Sequence, residues 1–430
     1  MELPYRKELP YRYLYHRGRS VENKSPYKPT LTICLAEIFG LASIAAFPAL
    51  LPIFLIEWQL SNTAAGWVSA AYYAGYMVFV PVLSGITDRM DARKVMAFGA
   101  LIGVFTALGF AFFAQGFWSA LVLRFLSGIS LAGIYMPGLK LVSDATEGSL
   151  QSRFVSFYTA SFSVGVSLSY LLAGEIHAVA GWRWAFGASA VFAALAWAMI
   201  MAYVPAGKPL KSAANPGVAD FLTVLRCRAA MAYVLAYAAH MWELFAFRSW
   251  VVAFLVFSLH LQPPGGYAGS PTQLAFLISL IGLPASIGGN ELARRYGRRR
   301  VISTVMLASA AFGALLGFTA AWPYLLVSFF ALVYGVMVTA DSAALTAGAV
   351  AAAPDGLRGT TLAVHSTLGF GAAFLGPLAV GVVLDLFSGT PFVWGMGFIA
   401  IASSSLLGPF FLYVVGANAL STAGRDRQAQ

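Results

Sequence analysis

The chain has 430 residues, of which 59% are hydrophobic and only 10% are charged, and its formal net charge is +10. Soluble domains are about 45–50% apolar and about 25% charged, so this composition excludes a soluble globular protein and indicates a polytopic membrane protein. The apolar runs continue for about 20 residues without alternation, which excludes an outer-membrane barrel. Basic loops on one side of a membrane explain the positive charge better than nucleic-acid binding does.

Twelve apolar segments predict an all-α membrane protein, and we number them spans 1 to 12 in chain order. A basic N-terminal arm, residues 1–30, precedes them and contains the sequence ELPYR twice. The predicted spans are residues 31–56, 63–86, 94–115, 118–142, 154–176, 182–203, 229–258, 272–293, 300–320, 323–347, 359–384 and 391–416. They divide into an N-terminal six-helix bundle (31–203), a linker (204–228), a C-terminal six-helix bundle (229–416) and a tail (417–430).

The distribution of basic residues predicts the orientation. Of the 27 Lys and Arg residues, all except Arg124, Arg183 and Arg248 fall in segments on the same side of the membrane as the N-terminus. Basic residues accumulate in cytoplasmic loops. Both termini, the arm, the linker and the tail are therefore predicted to be cytoplasmic, in a multi-pass protein of a plasma membrane, most simply a bacterial-type inner membrane.

An internal repeat supports the division into two bundles. The sequence DRMDARKV follows span 2 at residues 88–95, and RRYGRRRV follows span 8 at residues 294–301, 206 positions later. Arg153 and Arg358, each just before the fifth span of its bundle, lie 205 positions apart. Two matches at nearly the same offset indicate duplication of a six-span unit.

Two six-span halves, a central linker and a basic loop after the second span of each half resemble the major facilitator superfamily over roughly residues 30–416. Asp88, Arg89, Arg93 and Lys94 match the loop pattern of that family, and Gly297, Arg298 and Arg299 match it in the second copy. Asp91 stands where the pattern has glycine, and Arg294 where it has an acid. The resemblance implies a twelve-helix secondary transporter. It also implies that Asp88, Arg89, Arg93 and Arg299 form a conformational latch, with Asp144 as a partner of Asp88.

Two further motifs bear on coupling and direction. Arg124 and Gly128 in span 4 resemble the family pattern Arg-x-x-x-Gly, which is linked to proton coupling; alternatively, Arg124 extends to the outer surface. Span 5 lacks the Gly-Pro pair typical of antiporters, whereas span 11 contains Gly376-Pro377. This weakens an assignment to efflux and leaves the direction of transport open.

Each of the spans that would line the central cavity carries an ionisable residue. The resemblance implies that these are spans 1, 4, 7 and 10, which contain Glu37, Arg124, Glu243 with Arg248, and Asp341. Charged residues inside a membrane are costly and usually face a water-filled path or a partner. The span directions predict Glu37 and Asp341 nearer the cytoplasm, Glu243 near the middle and both arginines nearer the outside.

Three acids against two arginines leave one carboxyl without a permanent basic partner, and desolvation favours the protonated form of such a group. Glu243 is the most central candidate for a coupling proton, and His240, one turn earlier, could share it. His365 in span 11 is a weaker relay candidate, since a packing histidine explains it as well. Glu37 could reach interfacial water, and Asp341 could bond neighbouring hydroxyls. Glu243 and Arg248 project about 140° apart on a helix, so each needs another partner.

These patterns predict a secondary transporter that moves a small solute by alternating access, coupled to protons, with an anionic substrate favoured. The alternatives are a proton-driven efflux antiporter for hydrophobic or cationic compounds and a non-transporting membrane sensor or assembly factor. The sequence contains no phosphate-binding loop, metal-ligand cluster or nucleophile–base motif, which argues against an enzyme. We expect no cofactor beyond a proton or ion gradient. The expected partners are the small-molecule or ion substrate and the lipid bilayer, with no nucleic acid, and the protein is expected to be a monomer.

Overall fold

A computed structural model describes residues 27–145, 148–207, 218–263 and 269–416. The repeated ELPYR sequence, most of the predicted arm, residues 208–217 of the linker and the tail lie outside the described residues. Within the described ranges the secondary structure is helical, and these ranges contain no β-strand. The prediction of an all-α membrane protein is confirmed.

Eleven helices in the described part of the chain are long and apolar enough to cross a membrane. They coincide with the predicted spans 2 to 12. Their bounds are Asn62–Ile86, Ala92–Phe113, Phe117–Asp144, Arg153–Ala180, Trp182–Tyr203, Arg228–His260, Pro271–Tyr296, Arg298–Thr319, Tyr324–Ala351, Arg358–Leu386 and Val393–Val415. A short helix, Val218–Arg226, lies in the predicted linker just before span 7.

Span 1 is broken into three helices, Tyr27–Gly40, Ala46–Ala49 and Leu51–Glu57. Two prolines help to explain the breaks, because Pro48 and Pro52 cannot donate a backbone hydrogen bond to the residues four positions earlier. None of the three pieces is long enough to cross a membrane alone. Together they form one segment, which with the eleven other spans is consistent with twelve.

Spans 10 and 12 are also interrupted. Span 10 consists of Tyr324–Ala340 and Ser342–Ala351, with Asp341 at the junction. Span 12 changes its helix type after Ala402, where three consecutive serines begin, and Pro409 follows within one further turn. Serine hydroxyls compete for backbone carbonyls and proline removes a donor, so both features loosen the helix locally.

The two halves meet along two seams. Span 2 of the N-terminal half packs along span 11, and span 5 packs along span 8 of the C-terminal half. At Gly66 and Gly381 a side chain would collide with the backbone of Pro377 and Asn62, respectively. Glycine at these positions lets spans 2 and 11 approach closely, as small residues do where membrane helices pack.

We name the two ends of the bundle by their connections. The far end holds the connections 58–61, 114–116 and 387–392, and the near end holds 87–91, 204–207 and 352–357. The near end also contains Tyr27, the first described residue. The charge distribution predicts that the near end is the cytoplasmic one.

Candidate functional site

His240 and Asp341 form a buried pair between spans 7 and 10. His240 is 0% exposed and Asp341 is 4% exposed, and Nδ1 of the imidazole lies 2.8 Å from Oδ1 of the carboxylate. The ring of Tyr237 stacks on His365 at a centroid distance of 3.7 Å and on His240 at 5.7 Å. The structure thus brings two predicted site histidines and one predicted acid into a single cluster in the C-terminal half.

The sequence suggested that His240 could share a proton with Glu243, but in the structure the two side chains contact different partners. Glu243 is 2% exposed and points toward spans 9, 10 and 12. Its Oε1 accepts hydrogen bonds of 2.8 Å from the hydroxyls of Ser309 and Tyr334, and its Oε2 accepts one from Ser405. His240 and Glu243 are three positions apart on the same helix, but their side chains contact different neighbouring spans. Glu243 therefore lies inside the C-terminal bundle and not on the surface between the halves.

Arg248 lies where the halves meet, 9% exposed. The hydroxyl of Tyr170, from span 5, donates a hydrogen bond to its backbone carbonyl, and its guanidinium lies 5.5 Å from the ring centre of Phe245. Its side chain borders a small cavity with Ile278 of span 8 and Thr339 of span 10. As expected from their helical angle, Glu243 and Arg248 do not pair.

Arg124 is 1% exposed and does not extend to the outer surface. Its Nη1 and Nη2 donate hydrogen bonds to the carbonyls of Ser43 and Ile44, at 3.2 and 3.1 Å, in the break of span 1. The carbonyl of Ile44 is the one that Pro48, lacking an N–H, cannot bond. The guanidinium also lies 4.3 Å from the ring centre of Tyr72. Arg124 therefore satisfies backbone groups that the broken helix leaves open.

Two serines also form hydrogen bonds with backbone groups at the break in span 1. The hydroxyl of Ser169, in span 5, donates to the carbonyl of Ala42 at 2.7 Å and accepts from the N–H of Ala45 at 3.0 Å. Ser189, in span 6, donates to the same carbonyl of Ala42 at 3.2 Å. Non-helical backbone at membrane depth is tolerated where side chains of neighbouring helices pair with it, and spans 4, 5 and 6 do so here.

Glu37 lies on span 1 and is fully buried, so it does not reach interfacial water. Its Oε2 accepts a hydrogen bond from the hydroxyl of Ser161 in span 5. Its Oε1 has no hydrogen-bond partner among the described residues. The one hydrogen bond found for the Glu37 carboxylate among the described residues is therefore to a residue of the N-terminal half.

The predicted latch residues pair within their own halves. Lys140 lies 3.9 Å from Asp88 and 3.1 Å from Asp144, so a lysine of span 4 joins the two acids that the sequence placed together. Arg93 donates to the carbonyl of Met201 at the end of span 6, and Arg89 is exposed. Arg299 lies against Gly416 after span 12. In this conformation these contacts stay on one side of the seam, and the latch role stays a prediction.

Asp91, which departs from the family pattern, has a local role that the sequence interpretation missed. Its Oδ1 accepts a hydrogen bond of 3.0 Å from the backbone N–H of Arg93, which caps the N-terminus of span 3. Its Oδ2 accepts another of 3.0 Å from the N–H of Gly207, after span 6. Aspartate is a preferred N-cap residue. At this position, Asp91 holds the start of span 3 against the segment after span 6, which a glycine could not do.

The far end carries polar contacts across both seams, and the sequence analysis did not anticipate them. Asp385, at the end of span 11, accepts hydrogen bonds from the backbone N–H groups of Asn62 and Thr63, at 2.9 and 2.7 Å, and from the side-chain amide of Asn62. Glu175 of span 5 accepts a bond of 2.8 Å from the amide of Gln273 in span 8. In both seams, a carboxylate of one half meets the first turn of a span of the other half.

These two contacts are related by the internal repeat. Asp385 lies 210 positions after Glu175, and Gln273 lies 210 positions after Thr63. The offset is close to that of the repeated loops, so the two far-end contacts occupy equivalent positions in the two halves. A search of the acids at the ends of spans 5 and 11 for this offset could have found them from the sequence.

The described residues contain no group of three or more His, Cys, Asp or Glu side chains placed to hold a metal ion. The ionisable groups of the site are instead single buried charges, or small clusters of side chains on neighbouring helices.

Two helical bundles that meet along two seams, with buried ionisable groups at membrane depth, define a polytopic membrane protein of the carrier type. The chain belongs to the Major Facilitator Superfamily, whose family model matches residues 33–290.

Similar proteins agree with this family. A probable sphingolipid transporter, spinster homolog 1 of Arabidopsis thaliana, is 26% identical over 135 residues, which are 31% of this chain and 27% of that protein. Protein spinster homolog 3 of Danio rerio is 25% identical over 166 residues, 38% of this chain and 33% of that protein. The chain thus matches about a third or less of the length of these relatives.

Solved structures share the fold at low sequence identity. An inward-facing, unoccupied bacterial homolog of the human lysosomal transporter Spinster has a TM-score of 0.70 at 14% identity, over 92% of this chain and 96% of that chain. A POT family transporter in complex with 5-aminolevulinic acid has a TM-score of 0.74 at 11% identity, over 91% of this chain and 96% of that chain. The predicted major facilitator fold is confirmed, and the protein is a multi-pass membrane protein of a transporter family.

Proposed function

We propose that the protein is a secondary active transporter that moves a small organic anion across a membrane by alternating access, in symport with protons. The substrate and the proton gradient are its only requirements, and it works as a monomer in a bacterial-type inner membrane. The near end, with both termini, faces the cytoplasm in this proposal, since the basic residues gather there.

The observation that carries this proposal is the unpaired guanidinium of Arg248. Arginine keeps its charge in proteins, and a buried charge is costly unless it is paired. No carboxylate of the described residues lies within ion-pair distance of Arg248, although the side chain is only 9% exposed and lies where the halves meet. A bound anion would supply the missing counter-charge.

Aromatic side chains around Arg248 support an organic substrate rather than an inorganic ion. Tyr73 and Phe245 meet across the seam at a centroid distance of 4.6 Å, and Tyr76 and Phe370 meet at 4.0 Å. An amphipathic anion would place its charge on Arg248 and its carbon skeleton on these rings, as mostly apolar sites with few polar groups do. A named sphingolipid transporter among the relatives is compatible with such a substrate.

The test is ligand-induced stabilisation of the purified protein by four six-carbon probes: hexanoate, hexyl phosphate, hexanol and hexylamine. We expect the two anions to raise the melting temperature and the neutral and cationic probes to leave it unchanged. Arg248→Gln should weaken anion binding about 30-fold or more, since removing one partner of a buried charge pair costs about 2–5 kcal/mol. Arg248→Lys should retain part of the affinity, because it retains the charge.

Arg183→Gln is the matched control. Arg183 contacts Trp182 and the carbonyl of Ala111 at the far end, away from the seam, so its loss should leave anion binding intact. Stabilisation by hexylamine that survives in Arg248→Gln would contradict the proposal and favour efflux of cationic compounds.

A further inference from the structure

The interruption of span 10 lies at Asp341, whose carboxylate is therefore at the junction of two helices inside the bundle. Asp341 separates two helices of the span, and its carboxylate lies 2.8 Å from the imidazole of His240 in span 7. Both side chains are almost completely removed from solvent. Discontinuous helices near the middle of a transporter are typical places for substrate and ion sites. A bare carboxylate is costly there, and a protonated imidazole removes much of that cost.

An aromatic stack extends from this pair toward span 11. Tyr237 lies between His240 and His365, with interplanar angles of 25° and 18°. Nε2 of His365 lies 3.3 Å from the hydroxyl of Thr346, one turn beyond Asp341 in span 10. Both ring nitrogens of His240, Nδ1 of His365 and Oδ1 of Asp341 make no hydrogen bond among the described residues, so the 2.8 Å approach of His240 to Asp341 is an ion-pair contact without hydrogen-bond geometry. The two histidines therefore contain three ring nitrogens without a hydrogen bond among the described residues, and such nitrogens can bind a proton or a water molecule.

The groups that face the cluster come from both halves. Glu243, on the same helix as His240, is close enough to Asp341 for an electrostatic interaction. Arg248 of the same span, and Tyr76 and Tyr135 of the N-terminal half, lie near Tyr237. Tyr237 is half-buried and has tyrosines of the N-terminal half nearby, whereas Asp341, His240 and His365 are buried.

We propose that the Asp341–His240 pair is the site that binds the coupling proton, with His365 as its relay, and not Glu243. The inference rests on the proposed proton-coupled transport and assigns that function to particular atoms. One proton binds to His240, and the resulting imidazolium forms an ion pair with the Asp341 carboxylate. The loaded pair has no net charge, whereas the unloaded pair carries one negative charge.

This charge difference links the proton to the conformational cycle. A neutral pair tolerates the dry environment of the present conformation, whereas a negative pair needs water to stabilise it. Movement of Tyr237 as the halves rearrange would hydrate the pair and release the proton. Glu243 accepts hydrogen bonds from three hydroxyls of spans 9, 10 and 12, so these partners all belong to the C-terminal half.

The test follows histidine protonation by NMR in full-length, histidine-labelled protein in nanodiscs. The chain has only five histidines, so single substitutions assign every signal. In Asp341→Asn the proton affinity of His240 should fall about tenfold or more, because a neighbouring opposite charge shifts such equilibria by about 1–3 pH units. Glu243→Gln should change the His240 signal less than Asp341→Asn does, because Glu243 bonds to Ser309, Tyr334 and Ser405 and not to His240. His177, at the end of span 5, is the internal control and should not change in either variant.

A second variant covers the case that Asp341→Asn does not fold. His240→Gln keeps an amide donor for Asp341, and the purified variant should take up one proton fewer than the wild type between pH 8 and pH 5, about the range where histidine titrates. An unchanged His240 titration in Asp341→Asn, or an unchanged proton count in His240→Gln, would overturn the assignment. Failure of the transport proposal is distinguishable, since it would leave these titrations intact but abolish proton movement with the anion.

Discussion

Replacing Asp385 with asparagine should open the far end of the protein. Asp385 accepts three hydrogen bonds from Asn62 and Thr63, two of them from backbone N–H groups in the first turn of span 2. Hydrogen bonds to a charged group contribute about 1.5–3 kcal/mol, and a carboxylate at a helix N-terminus adds a favourable dipole interaction. Without the charge, the hydrogen bonds and the dipole interaction both become weaker. The population of molecules with an open far end, relative to those with a closed one, should therefore rise about tenfold, which corresponds to about 1.4 kcal/mol.

The measurement is the distance distribution between spin labels at Val179 and Ser388, two exposed far-end positions in opposite halves. The labels require a background without Cys34 and Cys227, the only two cysteines. Glu291→Gln is the matched control, because Glu291 pairs only with the neighbouring Arg294 on an exposed surface. Glu175→Gln should act in the same direction as Asp385→Asn but more weakly, since one exposed contact is lost. Identical distance distributions in Asp385→Asn and the wild type would contradict a role of this contact in closure.

Replacing Glu243 with alanine should destabilise the C-terminal half strongly. The hydroxyls of Ser309, Tyr334 and Ser405 would each lose their buried acceptor. An unsatisfied buried polar group costs about 1–3 kcal/mol, so we expect the free energy of unfolding to fall by about 3 kcal/mol or more. Reversible denaturation in SDS, with the melting temperature as a second readout, measures this loss.

A double-mutant cycle separates the hydrogen bonds from general packing. Tyr334→Phe should cost stability in the wild type but cost little, or restore stability, in the Glu243→Ala background, where the hydroxyl has no acceptor. Glu57→Ala is the control, since Glu57 accepts one hydrogen bond from Trp182 in an exposed setting. A Glu243→Gln variant that is as stable as the wild type but has lost proton-driven transport would contradict the structural role and revive the proton role of Glu243.

The spans and the two halves were predictable because they depend on local composition. An apolar run long enough to cross the bilayer has few alternatives to a helix, and the repeated loops mark the duplication. The break in span 1 was harder to predict from the sequence. Pro48 and Pro52 are visible in the sequence, but membrane helices often tolerate proline, as Pro81 in span 2 and Pro377 in span 11 show.

The partners of the buried charges were not predictable, because rotation and depth of each helix decide them. His240 and Glu243 are one turn apart, yet one faces Asp341 and the other faces Ser309, Tyr334 and Ser405. Arg124 stands out in the sequence through its place inside span 4 and through the Arg-x-x-x-Gly pattern that it forms with Gly128. Its role at the carbonyl of Ile44 follows only from the tertiary fold, where span 4 crosses the break of span 1.

Proton flux in proteoliposomes is the most direct test of coupled transport. Vesicles that contain the protein and a trapped pH indicator are exposed to an inward gradient of an anion found to bind. The account predicts that the lumen acidifies as the anion enters, and that Arg248→Gln abolishes both movements while Arg183→Gln preserves them. Entry of labelled anion without any change in the internal pH would contradict proton-coupled transport.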